Sequence, residues 1–213
     1  MNLPEKTVER LSQYRRVLLR ELELGQTYVY SHELATLLHL TSVQVRRDIM
    51  LIGHTGTLRK GYKIQDLVDR IGVIIDCKSK QRVAIVGIGN LGQAILHYYS
   101  QQNTKLTMHA AFDNNPEKIG KEYFGVECYS IEDMVKVIKK QKITIAILTI
   151  PPEFATEMAQ KLVKAGVKGI MNYSPVSINV EGAYLEQYDM ITSLEKVAFF
   201  AKPKFGEPGF TTN

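Results

Sequence analysis

The sequence predicts an α/β protein in two parts: a small basic helical domain, then a larger doubly wound parallel sheet that ends in a helix. Three observations predict it. From residue 82 onward, near-continuous apolar runs alternate with helix-like runs, as in a parallel sheet covered on both faces. The first 63 residues carry helix-spaced leucines and hold ten Lys/Arg against six Asp/Glu, whereas the remaining 150 are nearly balanced, seventeen against sixteen. Between the two, "DCKSKQ" at 76–81 has the composition of a linker. A chain of 213 residues accommodates two ordinary domains. The expected boundaries are 1–76, 77–188 and a terminal segment 189–213.

Residues 4–24 read as a helix, with Val8, Leu11, Leu18 and Leu22 at helical spacing, Pro4 suited to the first turn and Gly25 to the stop. A second helix is expected over 31–38, capped by Ser31 and carrying Leu34, Leu37 and Leu38. In "HLTSVQVRRDIMLIG" Thr41 and Gln44 form an S/T-x-x-Q capping box, so a third helix starts at about 42 and stops at Gly53. Helix, short turn, helix is the helix-turn-helix pattern. At about 100° per residue, Val45, Ile49 and Ile52 cluster toward a core. Arg47 then faces outward and Arg46 lies on a flank, placed for guanine edges or phosphates. Ser42 and Gln44 stand at the helix N-terminus, the end that enters a groove, although the capping box competes for Gln44. "TLRKGYKI" at 57–64 reads as a hairpin whose Arg59 and Lys60 form a basic wing. Residues 64–75 place Ile64, Leu67, Val68, Ile71 and Ile75 on one face of a bridging helix.

The sheet domain has strands in "RVAIVG", "LTMHAAFD", "ITIAILTI" and "VKGIMNY", with helices at about 91–101, 130–140 and 152–165. Gly87, Gly89 and Gly92 spell GxGxxG between the first strand and its helix. In the dinucleotide fingerprint the first glycine makes the tight turn, the second admits the pyrophosphate, and the third lets helix and strand pack closely. The pyrophosphate then rests on N–H groups of the helix N-terminus, at Asn90 and Leu91. Asp113 closes the second strand 21 residues after Gly92. Its carboxylate suits both ribose hydroxyls of an adenosine and repels a 2′-phosphate, which favours NAD(H) over NADP(H), with Lys118 the one nearby cation that pulls the other way. Thr149, Pro151 and Pro152 end a later strand, on the side where a nicotinamide would lie.

Enzymatic, metal and membrane readings find little support. The five histidines stand in no catalytic spacing with Asp or Lys, and no segment remains for a substrate domain. Cys77 and Cys128 form neither a disulfide framework nor a metal pattern. The charged N-terminus and the lack of an apolar run near 18 residues point to a soluble, cytoplasmic protein. A nucleotide-binding domain joined to a basic helix-turn-helix suits a sensor. The rivals are a small NAD-dependent oxidoreductase and a CoA- or nucleotide-binding subunit of a larger ligase. The helix at about 190–201, with Met190, Ile191, Leu194, Val197, Phe199 and Phe200, is apolar enough to require a partner surface.

Taken together, "SHELATLLHLTSVQVRRD", "RVAIVGIGNLGQAILHYY", "AAFDNNPEKIG", "ILTIPPE", "AGVKGIMNYSPV" and "YDMITSLEKVAFF" resemble, in order and over nearly the full length, the Rex family of redox-sensing transcriptional repressors. The resemblance implies a homodimer with winged-helix heads on double-stranded DNA, at a palindromic, A·T-rich operator. It implies that the C-terminal helix is exchanged between subunits, and that the NADH-bound form releases DNA whereas the free or NAD⁺-bound form binds it. Tyr98 matches the family's tyrosine near the nicotinamide. Asp189 matches the acid before the exchanged helix, which pairs with an N-terminal arginine, here Arg16. In the family the wing's basic pair directly follows a glycine. Here Thr57 and Leu58 stand there, and Arg59 and Lys60 come two residues later.

Overall fold

Helix α1 (Glu5–Glu23) forms where Leu11, Tyr14 and Leu18 recur on one face, and all three are fully buried. They pack with Leu34 of α2 (Ser31–Leu38), Val45 and Ile49 of α3 (Ser42–Leu51), and Ile64, Leu67 and Ile71 of α4 (Ile64–Ile75) in one core. Truncating any one of these leucines or isoleucines to alanine would remove about 2–5 kcal/mol. The computed structural model describes residues 3–57, 60–77, 80–102 and 105–202. The chain divides into two compact units, Met1–Lys78 and Ser79–Asn213.

In the first unit, short strands β1 (Tyr28–Val29) and β2 (Tyr62–Lys63) pair antiparallel, with Val29 opposite Tyr62. An isolated bridge joins Thr57 to Gly61, as a winged helix-turn-helix requires. Leu58 and Arg59 lie outside the described residues. Ser31 is the first residue of α2 rather than its cap: Glu33 reaches back to accept from the Tyr30 N–H at 2.6 Å. His39 takes a left-handed conformation (φ 53°) that turns the chain between α2 and α3. Thr41 caps α3, its hydroxyl accepting from the Gln44 N–H at 3.2 Å. The expected box is only half formed, because the Gln44 side chain turns instead to Asp48 (2.9 Å).

Among the described residues Asp48 is the one fully buried acid of this unit, and its partners explain why the site is tolerated. Its carboxylate accepts from Arg10 at 2.6 and 2.9 Å, from the Tyr14 hydroxyl at 2.8 Å and from Gln44. Burial alone would raise its pKa. The hydrogen bonds from Arg10, Tyr14 and Gln44 outweigh burial and hold it below the ordinary value. These contacts clamp α1 to α3.

The second unit carries a seven-stranded sheet in the order β5-β6-β4-β3-β7-β8-β9. Its strands are β3 (Gln81–Val86), β4 (Leu106–Asp113), β5 (Glu122–Tyr123), β6 (Val126–Ser130), β7 (Ile145–Leu148), β8 (Gly169–Asn172) and β9 (Tyr184–Gln187). All neighbours run parallel except β5 against β6. Without the β5 edge, the order is that of a dinucleotide-binding sheet, with the topological switch at β3. Alternate residues of β3 and β4 feed opposite faces. Ala84, Val86, Ala110 and Phe112 pack with α6 (Met134–Gln141, entered through a 3₁₀ turn at Ile131–Asp133) and α7 (Pro152–Ala165). Val83, Ile85 and Ala111 pack with Leu96 of α5 (Asn90–Ser100). A register shift between Val83 and Ala84 skips His109. The last helix, α8 (Met190–Phe200), buries no residue.

The clamp at Asp48 leads to a prediction. Arg10→Met should lower stability by about 3 kcal/mol at pH 7, because it leaves a buried carboxylate undercompensated. In the native chain Asp48 contributes stability above its unfolded pKa of about 4, and loses it as pH falls through the lower folded value. In the variant, protonation removes the penalty. Urea denaturation at pH 7 and at pH 3.5–4 should therefore show the gap between the two chains closing at acid pH; a gap that stays constant would mean that Asp48 does not depend on Arg10.

Candidate functional site

The turn after β3 is held by backbone contacts that leave no room for side chains. Gly87 has φ 96°, and a Cβ there would lie 2.6 Å from the Thr149 carbonyl oxygen; a Cβ on Gly92 would collide with the Gly87 carbonyl oxygen. The Thr149 hydroxyl donates to the Gly87 carbonyl at 2.7 Å, and the Gly87 N–H donates to the Phe112 carbonyl at 2.8 Å. β3, β4, β7 and the start of α5 therefore meet at one point. Gly89 is the opposite case: a Cβ there would meet nothing within 4 Å. Its open side faces the approach to the first turn of α5, where Asn90 and Leu91 stand and where helix N–H groups lack intrahelical partners. That is the cradle a pyrophosphate requires.

Asp113 ends β4 beside this turn and is buried. One carboxylate oxygen accepts from the Asn115 N–H (2.9 Å), the other from the Ile88 N–H (2.8 Å) and the Lys118 ammonium (2.9 Å). Burial pushes its pKa up, but the Asn115, Lys118 and Ile88 hydrogen bonds win and hold it low. A carboxylate offers about four acceptor positions, so one remains. Both ribose hydroxyls can be accepted only if Lys118, the one flexible donor, moves aside.

A cavity of about 580 Å³ opens at these strand ends, lined by Gly87, Gly89, Asp113, Thr149 and Pro151 among others. Sequence reasoning found these five. It missed Asn114 and Ile131 on one wall, and Phe154, Glu157, Met158 and Lys161 on the other. The α7 residues recur at three- and four-residue spacing, so helical periodicity after "IPPE" was the signal that could have found them. It also missed Asn172 and Ser174, both buried. Asn172 accepts from the Ser174 N–H, and the Ser174 hydroxyl donates to the Ile150 carbonyl at 2.7 Å, fixing the loop that carries Pro151. Tyr98 is not among the lining residues. Its ring stands 59 % exposed on α5, edge-on to Tyr99. Asp189 caps α8, accepting from the Thr192 N–H and hydroxyl at 3.0 and 2.6 Å, and Arg16 is exposed on α1. Among the described residues no group of three or more His, Cys, Asp or Glu could hold a metal. No helix among them is long and apolar enough to cross a membrane.

In the first unit, α3 turns Val43, Arg46, Arg47 and Met50 outward, with Val43 65 % exposed. Arg46 donates to the Ser31 hydroxyl at 3.3 Å. Ser42 and Gln44 are half-buried at the start of the helix. Lys60 lies 5.8 Å from the Tyr28 ring centroid, on the wing. Sequence reasoning missed Val43, an apolar group placed where a thymine methyl could be met.

Comparison with known proteins bears on both units. The profile described as "CoA binding domain" matches residues 78–176, and the one described as "Putative DNA-binding protein N-terminus" matches residues 2–49. Redox-sensing transcriptional repressors named Rex are similar over nearly the whole chain. That of Limosilactobacillus reuteri is 36 % identical over 201 residues, covering 94 % of each chain. That of Pelotomaculum thermopropionicum is 35 % identical over 210 residues, covering 98 % of this chain and 99 % of the relative. Among solved structures, RSP, a Rex-family repressor, aligns with a TM-score of 0.84 at 31 % identity, over 94 % of this chain and 95 % of that one. RSP in complex with β-NAD⁺ and operator DNA aligns at 0.87 with 31 % identity, over 94 % and 93 %. RSP in complex with β-NADH aligns at 0.83 with 30 % identity, over 94 % of each.

The three glycines should separate in experiment. Gly89→Ala, with open space around the added methyl, should change stability by less than about 0.5 kcal/mol yet abolish NADH binding measured by the fluorescence of the bound nucleotide. Gly92→Ala should lower the melting temperature even without nucleotide. Normal NADH binding by Gly89→Ala would place the pyrophosphate elsewhere.

Proposed function

The chain belongs to the Rex family of redox-sensing transcriptional repressors, and from that premise we propose that it is a DNA-binding repressor that senses the NADH/NAD⁺ ratio and leaves its operator when NADH binds. One observation carries the reading: a cavity lined by Gly87, Gly89 and Asp113 and a helix presenting Arg46 and Arg47 outward occur in separate compact units of one chain. The solved complexes of RSP, one with β-NADH and one with β-NAD⁺ and operator DNA, support it for a relative.

In this reading Gly87, Gly89, Asn90, Leu91 and Gly92 hold the pyrophosphate. Asp113 takes the adenosine ribose, and Thr149 and Pro151 border the nicotinamide. When bound, the nicotinamide supplies the signal, because its oxidised and reduced rings differ by one charge and in planarity. Tyr98, Asp189 and Arg16 pass that difference on. Ser42, Gln44, Arg46 and Arg47 enter the groove of a palindromic, A·T-rich operator, while Arg59 and Lys60 steady the wing on the backbone. The protein works as a homodimer in the cytoplasm, without catalytic turnover. The dimer is supported by α8, whose Ile191, Leu194, Val197, Phe199 and Phe200 are all at least 60 % exposed in the single chain. The "CoA binding domain" match supports a second ligand reading, coenzyme A in the same cavity.

Fluorescence anisotropy of a labelled A·T-rich palindromic duplex, at fixed salt, tests the proposal. NADH should release the duplex, whereas NAD⁺ and coenzyme A should not. Tyr98→Phe and Asp189→Ala should keep DNA affinity and blunt the NADH response; an intact response would remove these residues from the switch. Leu194→Glu on α8 should halve the mass found by sedimentation, and an unchanged mass would place the dimer contact elsewhere.

A further inference from the structure

We propose that Gln44 reads an adenine edge in the major groove and that Asp48 is the positioning residue that fixes its amide for this task. The inference rests on the DNA-binding reading above. Gln44 lies in the first turn of α3, on the flank of the outward face formed by Val43, Arg46, Arg47 and Met50. Its Nε2 donates to Asp48 Oδ1 at 2.9 Å.

A glutamine amide has nearly the same shape when its oxygen and nitrogen are exchanged, so its orientation is set by its neighbours. Here the neighbour is a carboxylate, which only accepts. Asp48 Oδ1 also receives Arg10 Nη2 at 2.9 Å, and Oδ2 receives Arg10 Nε and the Tyr14 hydroxyl at 2.6 and 2.8 Å. The carboxylate is fully buried and cannot turn away. The reversed amide would set Oε1 against Oδ1, acceptor against acceptor.

Repulsion between Asp48 and Oε1 also selects which N–H points inward: the one on the side away from Oε1. The remaining N–H and Oε1 then lie together on the outer edge, a donor beside an acceptor. That edge complements adenine, whose N7 accepts and whose N6 amino group donates. Guanine presents two acceptors, O6 and N7, so one of its contacts would oppose Oε1. The cluster of Arg10, Tyr14 and Asp48 thus converts an adaptable side chain into a one-way reader. A purely structural role for the cluster would change affinity evenly across operators, whereas a reading role changes preference at one base pair.

The test is a selection from random duplexes at fixed salt with the full-length wild type, Gln44→Met and Asp48→Asn, followed by affinities on defined duplexes. The wild type should prefer adenine over guanine at one position of each half-site by roughly 5- to 150-fold. Gln44→Met should level that position and leave the others unchanged. Asp48→Asn, whose amide can donate to Oε1, should level the same position by allowing both orientations. If Asp48→Asn does not fold, Gln44→Met decides the base contact and Asp48→Glu, which keeps the carboxylate but displaces it, decides the positioning: a preference for adenine unchanged in a folded Asp48 variant would overturn that role. An unchanged preference in Gln44→Met, or an even loss at every position, would overturn the proposal. No enriched site with the wild type would overturn the DNA-binding reading, and this proposal with it.

Discussion

The absence of a side chain at Gly87 and Gly92 is the constraint on which the nucleotide cavity depends. Each glycine allows one backbone to touch another: Gly87 against Thr149, and Gly92 against Gly87. The Thr149 hydroxyl then closes the contact from the residue after β7. The start of α5 is thereby drawn down onto the strand ends, its N-terminus aimed into the crevice where the strand order reverses. The helix dipole and the peptide N–H groups act together only at that distance. Asp113 gains its role from the same geometry, because the Ile88 N–H that holds its carboxylate belongs to this turn. The Asn172–Ser174 pair performs the matching service on the other side, fixing the Ile150 carbonyl and so the entry to α7.

The first unit solves a different problem by a related device. A helix proposed to meet DNA, as α3 is, must be rigid while most of its outward surface remains exposed, so its rigidity has to come from the inner face. Val45, Ile49 and Ile52 supply nondirectional burial. Asp48 adds direction, since a buried carboxylate is stable only with its donors in place. Arg10 and Tyr14 come from α1, 38 and 34 residues away in sequence. The orientation of α3 is therefore written partly in α1.

How much of this was legible follows from what each signal measures. The strand of "LTMHAAFD" and the helices over 31–38, 64–75 and 152–165 were read with their observed bounds, because each is a clean apolar run or stripe. Strands β1, β5, β6 and β9 were not seen. "EY" and "YLEQ" are edge segments with no buried residue, and β6 contributes only Val126 and Cys128 to the core. The glycine spacing and Asp113 announced the candidate nucleotide site, since a pyrophosphate demands the glycines and a ribose an acid at a set distance along the chain. Lys118 was seen only as a nearby charge, and its ion pair with Asp113 depends on the loop between them. The clamp at Asp48 was invisible for a deeper reason: nothing local distinguishes an aspartate that will be buried from one that solvates a helix, until α1 is folded against it.

The proposed switch carries a thermodynamic condition of its own. Coupling between two sites is reciprocal, so if NADH weakens DNA binding by a given factor, operator DNA weakens NADH binding by the same factor. Carrying a dimer from almost wholly bound to almost wholly released takes about 5.5 kcal/mol of differential affinity, or about half that from each of two nucleotides. In the proposed site Asp113 and the glycine turn would meet the adenosine and pyrophosphate, which are the same in NADH and NAD⁺. Their contacts raise affinity for both forms and shift no equilibrium between them. The whole difference must arise where the ring itself is met, near Thr149 and Pro151 and through whatever Tyr98 and Asp189 contribute. A site of the proposed design therefore separates tightness from sensing: the residues most legible in the sequence would hold the ligand, and the discrimination would fall to a few groups at the nicotinamide end that no local motif marks.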